Sequence, residues 1–475
     1  MEIEIESVDF SASLCRTRLP FRFGHVTLTE APVLVCHLKV RIDGESVAGN
    51  SADLCVPKWF EKNLQKSVRD DVATLFASAR RAATAFVGSG GSPFAIWHRA
   101  HRRCVDGDLA SGIRLVDGFG VALLERAMID ATCRGQNLSF RDALSLNVFD
   151  FDPGALVSET KGLRPRDLLA DPPPSQVLVR HTVGGLDALR EADVSPVLRG
   201  DDDHPVSLEA DIRRFGLRAF KLKAGGAPDQ DAKRLLEISR LVNELGVVDP
   251  IYTLDANESY ERVADSGALL DQLAADPDGP AFLDALAYLE QPLPRNLTLA
   301  PSTQHEIEAL AERIPLLIDE ADDDLDAFPR ALDLGYRGVS VKNCKGVFRA
   351  LTNRALCLAR GEGAFQTSED LTNLPILPLQ QDLALVGALG LPHSERNGHH
   401  FFPGLDVVPA SEAEAALKAQ PDLYERVPGS ERIRLRIENG SLSLSCQDAI
   451  GFGYDSMIDQ GARSTPETIE GEWIA

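Results

Sequence analysis

Between residues 176 and 400 the chain repeats one pattern: a short apolar run, a polar residue or two at its end, then a helical stretch. The runs are "QVLVRHT", "LRAFKLKAG", "IYTLDANE", "LAYLEQP", "IPLLIDEA", "GVSVKNCKG" and "GAFQTSED". Strands that alternate with helices pair in parallel through crossover helices, and both faces of each strand are then covered. Seven or eight such units in succession predict a closed α/β barrel.

The flanks differ in texture. Residues 1 to about 60 read as strands: "EIEIESVDFSA" alternates charged and apolar residues, and "PVLVCHLKVRID" ends in the turn Asp43-Gly44. Helical material follows, from "WFEKNLQKSVRDDVATLFASARRAATAF" to "GVALLERAMIDATCR". The glycine-rich "GSGGS" at 88–92 follows a helix rather than a strand and lacks a Lys-Ser/Thr ending, so it reads as a loop and not a phosphate cradle. The proline-rich "DLLADPPPSQ" is the linker candidate. We therefore expect an α+β unit at 1–145, a barrel at 176–405, and a segment at 406–475 that packs back on the first unit. Within that last segment, "IRLRIENGSLSLSCQDAIG" reads as a hairpin turning at Asn439-Gly440.

Composition narrows the partners. The 475 residues carry a net charge of −23, which repels nucleic acid and anionic membrane. No apolar run reaches the ~18 residues that span a bilayer, and "MEIEIESVDF" lacks the basic and apolar regions of a signal peptide. A cytoplasmic protein acting on a small molecule is expected, assembled as a homo-oligomer. The 8 cysteines form no CxxC pair and read as buried thiols.

In a parallel barrel, reactive groups project from the C-terminal strand ends. Those ends carry Lys221 and Lys223, then Asp255 with Asn257, Glu290, Asp319 with Glu320, and Lys342, each about one strand-plus-helix unit apart. Lys221 and Lys223 are two apart on a strand and face the same way. Three carboxylates at one rim resist ionisation unless a cation joins them, and an all-oxygen set with open positions suits magnesium. A neighbouring ammonium, a divalent cation and desolvation should lower a lysine's proton affinity into the range of a useful base. Lys342, across the mouth, would face the other side of a bound substrate, so the two sides could remove and return one proton.

These residues resemble the enolase superfamily, and within it the mandelate racemase and muconate lactonizing enzyme group. The likeness lies in the KxK of "FKLKAGG", "DANE" at 255–258, "EQP" at 290–292, "IDEA" at 318–321 and the lysine of "VSVKNCKG"; "LPFRFGHVTLTEAPVLVCHLKVRIDG" resembles the group's capping strands and "LLERAMIDA" its domain-joining helix. The resemblance implies a modified (β/α)7β TIM-type barrel under an N-terminal α+β capping domain, with Mg2+ held by Asp255, Glu290 and Asp319. It implies Lys223 as the base on one face, Lys342 as acid or base on the other, and Lys221 as the residue that lowers the proton affinity of Lys223 and contacts the substrate carboxylate. The lysine on the sixth strand is nearer the muconate lactonizing type.

The substrate would be a carboxylate whose α-proton is abstracted to give an enediolate, most simply in an isomerase: a racemase, epimerase or cycloisomerase. A lyase that dehydrates a hydroxy or sugar acid shares that first step, and a non-catalytic barrel scaffold is the remote alternative. Substrate contacts are expected from Phe21, Phe23 and His25 in "RLPFRFGH", from Asn257, and from His393. "AGNSADL" stands where the group often has a Gly-Trp-Gly-Glu loop. "HSERNGHHFFPGLD" lacks the Asp-x-Asp of dipeptide epimerases, and its Glu395, Arg396, His399 and His400 could hold a second anionic group. The extra residues near 88–117 and 142–175 have no chemical reading.

Overall fold

The computed structural model describes residues 1–23, 26–199, 204–361, 363–455 and 458–474. Its first unit is an antiparallel sheet in the order β3-β2-β1-β4, built from β1 (Ile3–Phe23), β2 (Val26–Ile42), β3 (Glu45–Leu54) and β4 (Gly90–Gly91). The helix Val68–Phe86 starts on a capping box, Ser67 with Asp70, and packs with the helix Arg114–Gly135 against this sheet. Arg114–Gly135 is buried on nearly every side. It lies so close to β3 that a Cβ on Gly49 would fall 2.2 Å from the Ala127 carbonyl oxygen.

The alternation beyond residue 176 folds as expected into eight parallel strands: β5 (Gln176–Val183), β6 (Ala219–Lys223), β7 (Ile251–Asp255), β8 (Leu286–Glu290), β9 (Leu316–Ile318), β10 (Gly338–Val341), β11 (Phe365–Ser368) and β12 (His393–Arg396). They neighbour one another in chain order, and β12 pairs with β5 to close the barrel. On β6, Phe220 and Leu222 are fully buried on one face while Lys221 and Lys223 take the other. The period-2 rule thus sends the ammonium groups into the barrel and the apolar side chains to the surrounding helices.

Three stretches differ from expectation. "AGNSADL" is not a loop; it lies within β3, paired along its length with β2. The Asn439-Gly440 turn forms, with φ of 48° and 71°, but its arms pair elsewhere: β14 (Ile433–Leu435) with β13 (Tyr424–Arg426), and β15 (Ser441–Ser443) with β5. The two arms meet only at the antiparallel bridge of Glu438 with Ser441. The extra segments carry an aromatic cluster in which Phe94 and Phe151 pack on Phe348 of the helix Val347–Arg360. Near the C-terminus, Ser464 exchanges backbone hydrogen bonds with Ala12 of β1. All eight cysteines are buried and free, and no described helix is long and apolar enough to cross a membrane.

Candidate active site

The C-terminal rim of the barrel opens on a cavity of about 360 Å3 whose lining includes Lys221, Lys223, Asp255, Asn257, Lys342 and Glu395. Register brings the first residues together, since Lys223 pairs with Asp255 and Asp255 with Glu290 across β6, β7 and β8. Lys223 Nζ donates to Asp255 Oδ2 at 2.5 Å, and Lys342 Nζ donates to Asp319 Oδ2 at 2.5 Å. Ser340 and Lys345 add contacts to Asp319, at 2.5 and 3.4 Å.

Lys221 is placed differently. Its ammonium lies 3.0 Å from Asp255, 2.8 Å from Glu290 and 3.0 Å from Glu395, and it also donates to Glu369. Glu369 is held in turn by Arg180 and by the Tyr288 hydroxyl, 2.9 Å away. Burial alone would lower the proton affinity of Lys221, but the surrounding carboxylates outweigh it and hold it well above the ordinary lysine value. Lys342 is raised as well, because Asp319 outweighs burial. Lys221 and Lys342 are therefore held in their charged form in this arrangement, since each faces carboxylates at contact distance.

The acids split by the cations they reach. Burial works against the Asp255 and Asp319 carboxylates, yet Lys221 and Lys223 hold Asp255 below the usual range, and Lys342 and Lys345 do the same for Asp319. Glu290 goes the other way: burial, then Asp255 and Glu369, push it well above its ordinary value. Glu320 is pushed to about 7 by burial and Asp319. Glu320 Oε2 is buried and accepts no hydrogen bond, while Glu290 Oε2 has the Lys221 ammonium beside it.

A further positive charge fits this rim: the donors are hard carboxylate oxygens, and one of them, Glu320 Oε2, is buried with no donor. The oxygens of Asp255, Glu290 and Asp319 do not all come within 4.8 Å of one another, however, with the Lys221 and Lys342 ammonium groups set among them. Among the described residues, the group whose His, Asp or Glu donor atoms all approach within 4.8 Å of one another is His181, Asp211 and His400, away from the rim.

Trp59 is a mouth residue that sequence reasoning missed. It comes from the segment after β3, lines the cavity, and sets its ring 4.5 Å from the Lys342 ammonium. Arg295 fastens this segment by donating to the main-chain oxygens of Trp59 and Phe60 and to the Glu258 carboxylate, while Lys62 donates to the Asn257 oxygen at 2.7 Å. Phe21 lines the mouth and stacks on Phe401 at 4.2 Å. Asn257 lines it with φ of 46°. Phe23 ends β1; its side chain, and His25 entirely, lie outside the described residues.

His393 starts β12 below the rim, with Nδ1 2.5 Å from Arg180, and does not line the mouth. Arg396 points away to Asp382. His399 and His400 lie behind the strands, so they form no cationic cluster at the mouth, because β12 turns away into the helix Gly398–Phe401.

No protein-family model matches the sequence, and no curated protein matches it. Solved structures do match its fold. A muconate lactonizing enzyme from Pseudomonas fluorescens, complexed with muconolactone, superposes with TM-score 0.62 at 14% identity, covering 97% of this chain and 98% of that one. A mandelate racemase/muconate lactonizing protein from Herpetosiphon aurantiacus gives 0.60 at 15% identity, over 96% and 99%. An enolase from Pseudomonas fluorescens, with bound magnesium, potassium and tartrate, gives 0.59 at 15%, over 97% and 91%. The class is thus defined by architecture: a TIM-type barrel under an antiparallel capping sheet. The chain has the fold of the enolase superfamily.

Proposed function

We propose that this chain is a magnesium-dependent enzyme that removes the α-proton of a small carboxylate substrate, and that the reaction is an isomerisation. The observation that carries the reading is the placement of Lys223 and Lys342 on separate strands of one mouth, each tied to a different carboxylate. Asp255, Glu290 and Asp319 would hold the metal. A magnesium ion, when bound, supplies positive charge that makes the α-proton of a carboxylate easier to remove.

The chain's own groups do the rest. With its carboxylate partner engaged elsewhere, a buried lysine feels desolvation alone, which lowers its proton affinity. Lys223 Nζ then takes the α-proton from one face and Lys342 Nζ delivers a proton to the other. Lys221, with its four carboxylates, stays charged and offsets the acids around it. Trp59 and Phe21 cover the mouth and keep water from the exposed carbanion.

Elimination of water from a hydroxy acid is a second reading. It is favoured by Asp370, which lines the mouth and which burial pushes up to about 7, so that it could protonate a leaving hydroxyl.

The test is deuterium uptake from D2O across a library of carboxylic acids, read by mass spectrometry. Exchange is expected to require magnesium and to fall by about 10²–10⁴-fold in Lys223→Ala. Exchange that survives this change removes Lys223 from the role, a keto product selects the lyase, and failure to take up magnesium selects a scaffold.

A further inference from the structure

The group formed by His181, Asp211 and His400 stands apart from the rim. Arg180 and Thr182 of β5 reach Glu369 and Glu395 inside the barrel, whereas His181 between them faces the opposite side. There it meets Asp211 of the helix Leu208–Phe215 and His400 of the helix Gly398–Phe401. His400 Nδ1 lies 2.8 Å from Asp211 Oδ2, and His181 Nε2 lies 3.9 Å from the same oxygen. The relative exposures are 2% for His181, 0% for Asp211 and 4% for His400.

Neither Asp211 oxygen is in hydrogen-bond alignment with any donor, and His400 Nδ1 makes no hydrogen bond in spite of its closeness. A buried carboxylate left this way is costly. Donor atoms that crowd together without pointing at one another are the pattern of ligands that share a point between them. Two donors on a tetrahedral ion with bonds of about 2.0–2.1 Å sit roughly 3.3 Å apart, and the two contacts here straddle that spacing.

The outer partner is present too. His181 Nδ1 is 3.0 Å from His399 Nε2; a proton on Nδ1, donated to His399, leaves the Nε2 lone pair facing Asp211. Two imidazoles and a carboxylate form a mixed nitrogen and oxygen set, unlike the all-oxygen set at the rim, and suit a borderline transition ion.

We propose that His181, Asp211 and His400 form a second metal centre that takes a divalent ion of the zinc class and fastens the seam where β12 closes on β5. His181 is in register with Arg396 across that seam. The ion would join the first strand, the first helix after it and the segment following the last strand, behind the Glu395 and Asn397 that line the mouth. It has no part in the proton transfer, and the proposal does not depend on that reading.

The test uses the full chain, stripped with chelator and held in excess magnesium, then titrated with Co2+. One equivalent is expected to bind with visible d–d absorption, and Zn2+ is expected to displace it and raise the thermal midpoint. Glu290→Gln at the rim should keep the band, while Asp211→Asn and His400→Gln should lose it. X-ray absorption of the zinc-loaded wild-type protein should show nitrogen neighbours and needs no variant. Absence of the band, an all-oxygen shell, or a band lost in Glu290→Gln and kept in Asp211→Asn overturns the proposal and leaves His400–Asp211 as a buried ion pair.

Discussion

Lys221, within β6, and Lys342, just past β10, line the same cavity, yet their surroundings have little in common. Lys221 is shared among Asp255, Glu290, Glu369 and Glu395. Lys342 has Asp319 and, on its other side, the ring of Trp59. Lys223 resembles Lys342 in having one carboxylate, and its side chain keeps 13% exposure. An ammonium held by four acids cannot give up its proton without stranding all of them; one held by a single acid can. Lys221 is thus placed as a fixed charge, and on the proposed reading Lys223 and Lys342 are the groups that exchange protons.

The comparison breaks most plainly at Lys221. Lys221→Met is expected to lower stability by roughly 3–5 kcal/mol, since it strands buried carboxylates, and chemical denaturation reads the loss. A variant as stable as the parent would mean that those acids are protonated or otherwise neutralised. Lys342→Ala strands only Asp319, which Lys345 still reaches, so it should cost less stability than Lys221→Met, and it should separate two signals: isotope exchange on the Lys223 face persists, while inversion of configuration falls by a factor on the order of 10² or more. Equal loss of both would place the two lysines in one task.

Glu125 supplies a buried acid without a lysine. Burial pushes it up to about 8, although it accepts hydrogen bonds from the Phe348 and Val347 backbone. Its folded value lies above the unfolded one near 4.5. The protonated form therefore favours the fold, and its stabilising effect is complete below about pH 4.5 and is lost as pH rises through 8. Glu125→Gln should match the parent at pH 4 and exceed it by up to roughly 4 kcal/mol at pH 8, measured by denaturant titration at each pH. A constant difference would remove ionisation as the cause. The smallest effect on activity is expected at Trp59→Leu, where the lost cation–π contact is worth about 1 kcal/mol, read as a modest fall in kcat/KM, while the cavity left by the buried ring lowers the thermal midpoint.

The barrel was legible because both strand faces are apolar except at the C-terminal ends, so Lys221, Asp255, Glu290, Asp319 and Lys342 stand out against their runs. Glu369 and Glu395 occupy the corresponding ends of "GAFQTSED" and "HSER", but which acids would surround Lys221 depends on the curvature of the closed sheet, which no local pattern encodes. Arg180 in "QVLVRHT" was open to the same reading, as a charge inside a buried strand. Trp59 could not be placed, since its position rests on Arg295, far away in the chain. The two histidines of "NGHHFF" sit beside Glu395 in sequence and behind it in space, because the chain reverses after β12.

Arg295 holds the segment after β3 through the main-chain oxygens of Trp59 and Phe60. Backbone acceptors are present whatever side chain a residue carries. The anchor therefore tolerates replacement of the residues it positions, so the lining of the mouth could change at Trp59 or its neighbours while the arrangement of lysines and carboxylates beneath them stays as it was.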